Sequence, residues 1–181
     1  MTVPVLTGDR VRLRPPVQSD AALRQALGSD PEIHRMFGGS RADLAPYSAS
    51  RAEHWIEGLL AHPHAWIIEV GQRMIGEIRL DRLDATDRRA TLAVGIYASD
   101  ALSLGYGTEA AQLLLAHAFG PLGLHRVGLR VLSYNARAIR SYTKCGFVIE
   151  GRERESALVD DEWHDDIIMG ILAADFRGRT S

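Results

Sequence analysis

Apolar and polar positions along this chain change period several times, and the changes mark its elements. Val11-Arg12-Leu13-Arg14 alternates with period two and stops at Pro15-Pro16, as a strand does where proline removes the ladder donor. Ala22, Leu23, Ala26 and Leu27 recur at helical spacing, with Ser19-Asp20 as cap candidates and Gly28 as the stop. Asp30-Pro31 opens a short helix through Ile33 and Met36-Phe37, closed by Gly38-Gly39; it serves either as local packing or as one wall of a substrate pocket. Arg41 to Ser50 is polar and irregular. Ser50, with Glu53 three residues on, reads as the capping box of a helix carrying Ala52, Trp55, Ile56, Leu59 and Leu60.

Ala65 to Val70 and Met74 to Leu80 form a hairpin around Gly71-Gln72, and Asp81 to Arg89 is a charged connection. Ala90 to Tyr97 is almost uninterruptedly apolar, as a buried strand is. Ala111, Leu114, Leu115, Ala118, Phe119 and Leu122 then give a core-facing helical stripe, broken by Gly120 to Gly123. Val127, Leu129 and Val131 alternate with Arg126, Gly128 and Arg130, the pattern of a strand with two different faces. Asn135 to Lys144 is a helix with Asn135 as cap and Gly146 as a left-handed stop. Phe147 to Glu150 and Asp166 to Leu172 complete a strand pair around Leu158 to Trp163, and Arg177 to Ser181 is expected to fray.

Composition narrows the class. With 181 residues, 46% of them hydrophobic, and neither repeat nor linker, the chain is expected to be a single domain over 1–181. A net charge of -2 argues against nucleic acid as the main partner. The single cysteine, Cys145, suits a reducing compartment and reads as packing near a helix C-terminus. With no apolar run of bilayer length and no leader pattern, the expectation is a cytoplasmic protein with no membrane partner. His62-Pro63-His64 lacks a third ligand, so no metal is expected.

The stretch with the most chemistry is Leu102-Ser103-Leu104-Gly105-Tyr106-Gly107-Thr108-Glu109-Ala110-Ala111, which joins the buried strand to the following helix. Gly105 and Gly107 bare the backbone where a helix begins, so several N–H groups can meet an anion at the positive end of the helix dipole. A tight turn with nothing bound is the commoner explanation of two such glycines taken alone. The lysine-bearing nucleotide loop and the third glycine of a dinucleotide fingerprint are both absent, which leaves a diphosphate held by amides.

Four stretches taken together resemble a known family: Ala90 to Ile96, Gly105 to Ala110, Tyr134 to Phe147 (YNARAIRSYTKCGF) and Asp165 to Leu172. In this order and spacing the chain is similar to the GNAT superfamily of acyl-CoA-dependent N-acetyltransferases. Its opening, Leu6 to Pro15 followed by Asp20, resembles the Rim-type branch, whose best-known members acetylate N-termini of ribosomal proteins. The resemblance implies an α/β (α+β) fold. Its central sheet is mixed but mostly antiparallel, of about seven strands, splayed at a bulge in Ala90 to Tyr97 and flanked by about four helices.

It also implies a co-substrate, acetyl-CoA, wedged between the strands Ala90–Tyr97 and Val127–Leu132. Backbone groups of Gly95, Ile96 and Tyr97 would bond the pantetheine amides. The diphosphate would rest on amides from Leu102, Ser103, Leu104, Gly105, Tyr106, Gly107 and Thr108, with Asn135 contacting CoA as well as, or instead of, capping its helix. One of Arg137, Arg140 and Lys144 could meet the 3′-phosphate, although such a row is usually a solvated face. The chain departs from the family pattern at Leu102 and Leu104, where a polar and a cationic residue are usual, and at Thr91, where many relatives carry a glutamate.

By resemblance Tyr142 is the general acid that serves the departing thiolate, against the alternative of a core tyrosine satisfied by a carbonyl. Glu77 is a weaker candidate for general base, against the alternative of an exposed strand carboxylate. The expected reaction is acetyl transfer to a primary amine, a small molecule or a protein N-terminus, by direct attack in a ternary complex. The alternatives are a non-catalytic CoA-binding module and a transferase of larger acyl groups. A homodimer, through the terminal strands or the helix Arg51 to Leu60, is a further expectation.

Overall fold

The structure, a computed structural model, describes residues 3–177. Eight strands form one sheet in the order β1-β2-β3-β4-β5-β6-β8-β7. They are β1 (Leu6–Thr7), β2 (Val11–Arg14), β3 (Ala65–Val70), β4 (Arg73–Asp84), β5 (Arg89–Ile96), β6 (Arg126–Leu132), β7 (Val148–Val159) and β8 (Glu162–Leu172). Every neighbouring pair is antiparallel except β5 with β6. Among the described residues six α-helices accompany them: α1 (Asp20–Leu27), α2 (Pro31–Met36), α3 (Ala49–Ala61), α4 (Tyr106–Phe119), α5 (Ala136–Cys145) and α6 (Ala173–Arg177). The expected frayed tail begins at Arg177, which ends α6; the rest of it lies outside the described residues.

The two-faced strands dictate the layering. Ile78 and Leu80 of β4, Leu92 of β5 and Val127 of β6 point to one face, where they bury Ala110, Ala111, Leu114 and Leu115 of α4. On the other face Ile56 and Leu59 of α3 pack on Ala65, Ile67 and Met74.

Local chemistry corrects several expected boundaries. Ser48, not Ser50, caps α3, its hydroxyl accepting from the Arg51 N–H at 3.2 Å, so the Ser50/Glu53 box does not form. Ser19 makes no side-chain cap. Asp20 instead is fully buried, taking both arms of Arg14 at 2.6 and 2.8 Å and the Val17 N–H at 2.8 Å. Arg14 also donates to Glu69 at 2.6 Å, which ties β2 to β3 and to the start of α1. Burial works against the Arg14 charge, but these two carboxylates outweigh it and push its pKa up.

The charged stretch Asp81 to Arg89 is mostly strand: β4 runs to Asp84 and β5 begins at Arg89. The terminal pair is also much longer than Phe147–Glu150 with Asp166–Leu172, because both strands continue to the turn at Asp160-Asp161. Arg152 and Glu153 are strand because they pair with Ile167 and Asp166 of β8, not because they have an apolar face, and the register then shifts before Ala157 pairs with His164. Among the described residues no helix is long and apolar enough to cross a membrane.

Candidate active site

The sheet opens between β5 and β6. They pair only over Arg89↔Arg126, Ala90↔Val127 and Thr91↔Gly128, and beyond Thr91 the edge of β5 has no strand against it. A cleft of about 960 Å³ fills the gap. The bulge expected in β5 is not there: β5 keeps one register with β4 from Thr91 to Ile96, and the shift lies on β4 between Asp81 and Asp84. What draws β4 and β5 together is Gly76, where a Cβ would come within 1.9 Å of the Gly95 carbonyl oxygen, so no side chain fits.

At one end of the cleft lies the glycine stretch. Gly105 is the N-cap of α4 at φ +87°, and no side chain caps the helix. The N–H groups of Ser103, Leu104, Gly105, Tyr106 and Gly107 donate to no described residue, so a fan of amides meets the helix dipole. Leu102 does not join them, because its N–H donates to Ser99 at 3.2 Å. Leu102 and Leu104 bring no charge to this loop, yet a cation does stand beside it. Arg10, from the turn between β1 and β2, donates to the Leu104 carbonyl at 3.0 Å, and its guanidinium lies 5.1 Å over the Tyr106 ring. Sequence reasoning missed Arg10, since nothing local links it to a loop so far along the chain.

Helix α5 forms the facing wall. Asn135 caps it as expected, its Oδ1 accepting from the Ala138 N–H at 3.1 Å, and Gly146 closes it at φ +105°. Thr108 and Ser141 share a hydrogen bond of 2.8 Å that ties α4 to α5, and both line the cleft. Tyr142 also lines it, with its ring edge-on to Phe147 at 5.8 Å. It packs against the core cluster, and its hydroxyl donates to no carbonyl among the described residues. Burial pushes the Tyr142 pKa up to about 12. The phenol is therefore protonated throughout the physiological range.

Helix α2 closes the cleft above, so it is a pocket wall and not merely local packing. Tyr134 donates to the Arg35 carbonyl at 2.6 Å and Arg137 pairs with Glu32 at 2.9 Å, which fastens α2 to the start of α5. Ile33, Met36 and Phe37 face the opening.

Glu77 sits across the cleft. It is 4% exposed, not a solvated strand carboxylate, and accepts from the Trp55 indole N–H at 2.6 Å and from the Arg79 guanidinium. Gly95 lies opposite it in the β4–β5 register, so the carboxylate stands where β5 is bare of side chains. Tyr97 borders the same corner, with Trp55 edge-on at 6.2 Å and the Arg24 guanidinium 4.1 Å from its ring. Burial, reinforced by the Glu77 charge, drives the Tyr97 pKa far upward. Its N–H, expected to be free for a pantetheine amide, donates to Ile75 at 2.8 Å. Farther along the wall Asp166, 4% exposed, accepts from Arg130 at 2.6 Å and from Ser156 at 2.9 Å. Trp55, Arg79 and Asp166 were not singled out in the sequence, because each reaches the cleft by tertiary contact.

His62 pairs with Asp81 at 3.2 Å, and among the described residues no three His, Cys, Asp or Glu side chains converge as metal ligands would. Along the cleft lie bare amides, then a free strand edge, then a protonated phenol and a buried carboxylate. The family model described as "Acetyltransferase (GNAT) domain" matches residues 10–148. The chain belongs to this GNAT acetyltransferase family.

Relatives within and around the family agree with that placement. The chain is 28% identical over 116 residues to the spermidine N(1)-acetyltransferase of Vibrio cholerae, covering 64% of this chain and 66% of that protein. It is 27% identical over 107 residues to the Escherichia coli K12 enzyme of the same name, covering 59% and 57%. The chain thus matches less than two thirds of the length of these two curated relatives. An uncharacterised N-acetyltransferase of Bacillus subtilis, YokL, is 25% identical over 179 residues and covers 97% of both chains. The V. cholerae spermidine N-acetyltransferase solved with CoA and spermine superimposes with a TM-score of 0.79 at 22% identity, over 94% of this chain and 99% of that one. A GNAT-family acetyltransferase from Bacillus anthracis gives 0.80 at 17%, with the same coverages. These likenesses establish the GNAT fold.

Proposed function

We propose that this GNAT protein transfers an acetyl group from acetyl-CoA to a primary amine by direct attack within a ternary complex. The observation that carries the reading is the placement of an amide fan and an unpartnered, protonated phenol in one cleft. Acetyl-CoA supplies the activated acyl group as a thioester. The N–H groups of Ser103 to Gly107 hold its diphosphate, and the free edge of β5 up to Ile96 pairs with the pantetheine amides, placing the sulfur end beside Tyr142.

Transfer forms an N–C bond and breaks the C–S bond, so the amine must shed a proton and the thiolate must be stabilised. Glu77, hydrogen-bonded by Arg79 and Trp55, receives the amine proton through an intervening water. Tyr142 donates a hydrogen bond to the thiolate. With a pKa near 12 against about 8.5 for an ordinary thiol, the phenol acts by donating that bond, and the thiol proton comes ultimately from solvent. Asn135 contributes by capping α5 and so fixing the bearing of Tyr142. The resemblance of Leu6 to Pro15 supports a place in the Rim-like branch.

The test is thiol release from acetyl-CoA over a panel of primary amines. Wild type is expected to release thiol with at least one amine and Tyr142→Phe to be slower. No release with any amine, in a protein that binds CoA, would reject the reading.

A further inference from the structure

The charges that face the acceptor half of the cleft are unevenly satisfied. Register places Glu77 opposite Gly95, Arg79 opposite Ala93 and Asp81 opposite Thr91, all on the sheet face turned away from α4. Glu77 is bound by Arg79, which also donates to Asp81 at 2.9 Å. Asp166, on the far wall, is taken by Arg130 at 2.6 Å, and Arg130 also pairs with Glu153 at 3.3 Å. Both carboxylates in the lining, Glu77 and Asp166, are thus already neutralised. Two lining arginines have no partner among the described residues. Arg140 belongs to α5 and the CoA side; Arg82 belongs to β4.

Arg82 is placed by the irregularity in β4. The register slips between Asp81 and Asp84, and Arg82 takes φ +50°, a conformation L residues other than Asn and Asp seldom adopt. The slip frees this residue from the alternation that would tie its face to that of its neighbours. Beside the charges, Phe37 and Leu158 line the same cleft and are 54% and 51% exposed.

Resting on the transferase reading above, we propose that the acceptor is a primary amine on an apolar body that also carries an anionic group, a carboxylate, and that Arg82 is the residue that reads that group. The apolar body covers Phe37 and Leu158. A polycation finds no uncompensated carboxylate here and meets an unpaired arginine instead, so polyamines are disfavoured.

The experiment uses the whole 181-residue chain and two readouts. Calorimetry on the CoA-loaded protein compares two product mimics, N-acetyl-L-phenylalanine and N-acetyl-L-phenylalaninamide, which differ only in the carboxylate. Thiol release compares L-phenylalanine, its amide and spermidine as acceptors. The acid is expected to bind roughly ten-fold more tightly than the amide, as one charge-assisted hydrogen bond gives, and phenylalanine is expected to outpace spermidine. Arg82→Asn, which tolerates the backbone conformation, should bring the acid-to-amide ratio close to one, and Arg82→Lys should retain part of it. Equal binding of acid and amide, a ratio that survives in Arg82→Asn, or spermidine as the best acceptor would overturn the inference while leaving the transferase standing. Thiol release from no amine at all would overturn both.

Discussion

The Glu109 carboxylate accepts from the backbone N–H of Arg10 at 2.8 Å, the N–H of Val11 at 3.0 Å and the Arg10 Nε at 3.0 Å. One side chain in the first turn of α4 thereby anchors the start of β2 and a cation that holds the Leu104 carbonyl. Burial opposes the charge, but these donors outweigh it and keep the Glu109 pKa below the usual carboxylate range. Its contribution to stability is therefore complete above the unfolded carboxylate range and is lost as pH falls through the lower folded value.

Glu109→Ala leaves two backbone donors without their acceptor and frees the glycine loop. It is expected to lose about 1–2 kcal/mol of stability by denaturant unfolding and to weaken CoA binding. Arg10→Ala should weaken CoA binding with a smaller loss of stability, because its side chain is half exposed. A CoA affinity unmoved by both changes would show that this brace does not shape the loop.

Tyr142 should leave a signature in pH profiles mainly by its absence. Its pKa is raised by burial from 10 to about 12, so the stability its neutral form contributes is intact below pH 10 and is lost as pH climbs from 10 toward 12. The pH profile of kcat is accordingly expected to show no falling limb from Tyr142 below pH 10, and ultraviolet titration should find a phenol ionising late. Tyr142→Phe should lower kcat by about a hundred-fold and leave the calorimetric affinity for CoA within a factor of two.

Glu77 makes a separable prediction. Glu77→Gln keeps the acceptor for the Trp55 indole but removes the charge beside Arg79, so kcat/KM should fall most at low pH, where the amine holds its proton. Trp55→Phe removes the indole donor and keeps the charge, so a smaller fall, of about ten-fold or less, is expected. Equal rates for Glu77→Gln and wild type across the pH range would remove Glu77 from the proton path and leave water alone to carry it.

Parts of this site were written locally in the chain and parts were not. The Asn135 cap, the Gly146 stop and the bare backbone around Gly105 each depend on a residue's own conformational preferences, so they could be recognised one stretch at a time. Glu77 resembled an exposed strand residue because its cover comes from Trp55 on α3 and Arg79 two positions on, and only the tertiary fold brings the indole there. Arg10 is silent in sequence for the same reason. The long β7–β8 hairpin was hidden because Arg152 to Glu155 alternates in charge and not in hydropathy. The Ser48 cap was missed because Ser50 offered a better-looking spacing to Glu53, and local patterns cannot rank two serines two residues apart.

Underlying all of this is the proposed grip of unpaired main-chain donors on a diphosphate. Isothermal calorimetry with CoA and, separately, with pantetheine, which keeps the strand-pairing amides and lacks the phosphates, addresses it directly. CoA is expected to bind at least a hundred-fold more tightly than pantetheine, as expected for several charge-assisted bonds. Equal affinities, or no heat from CoA at millimolar concentration, would contradict it.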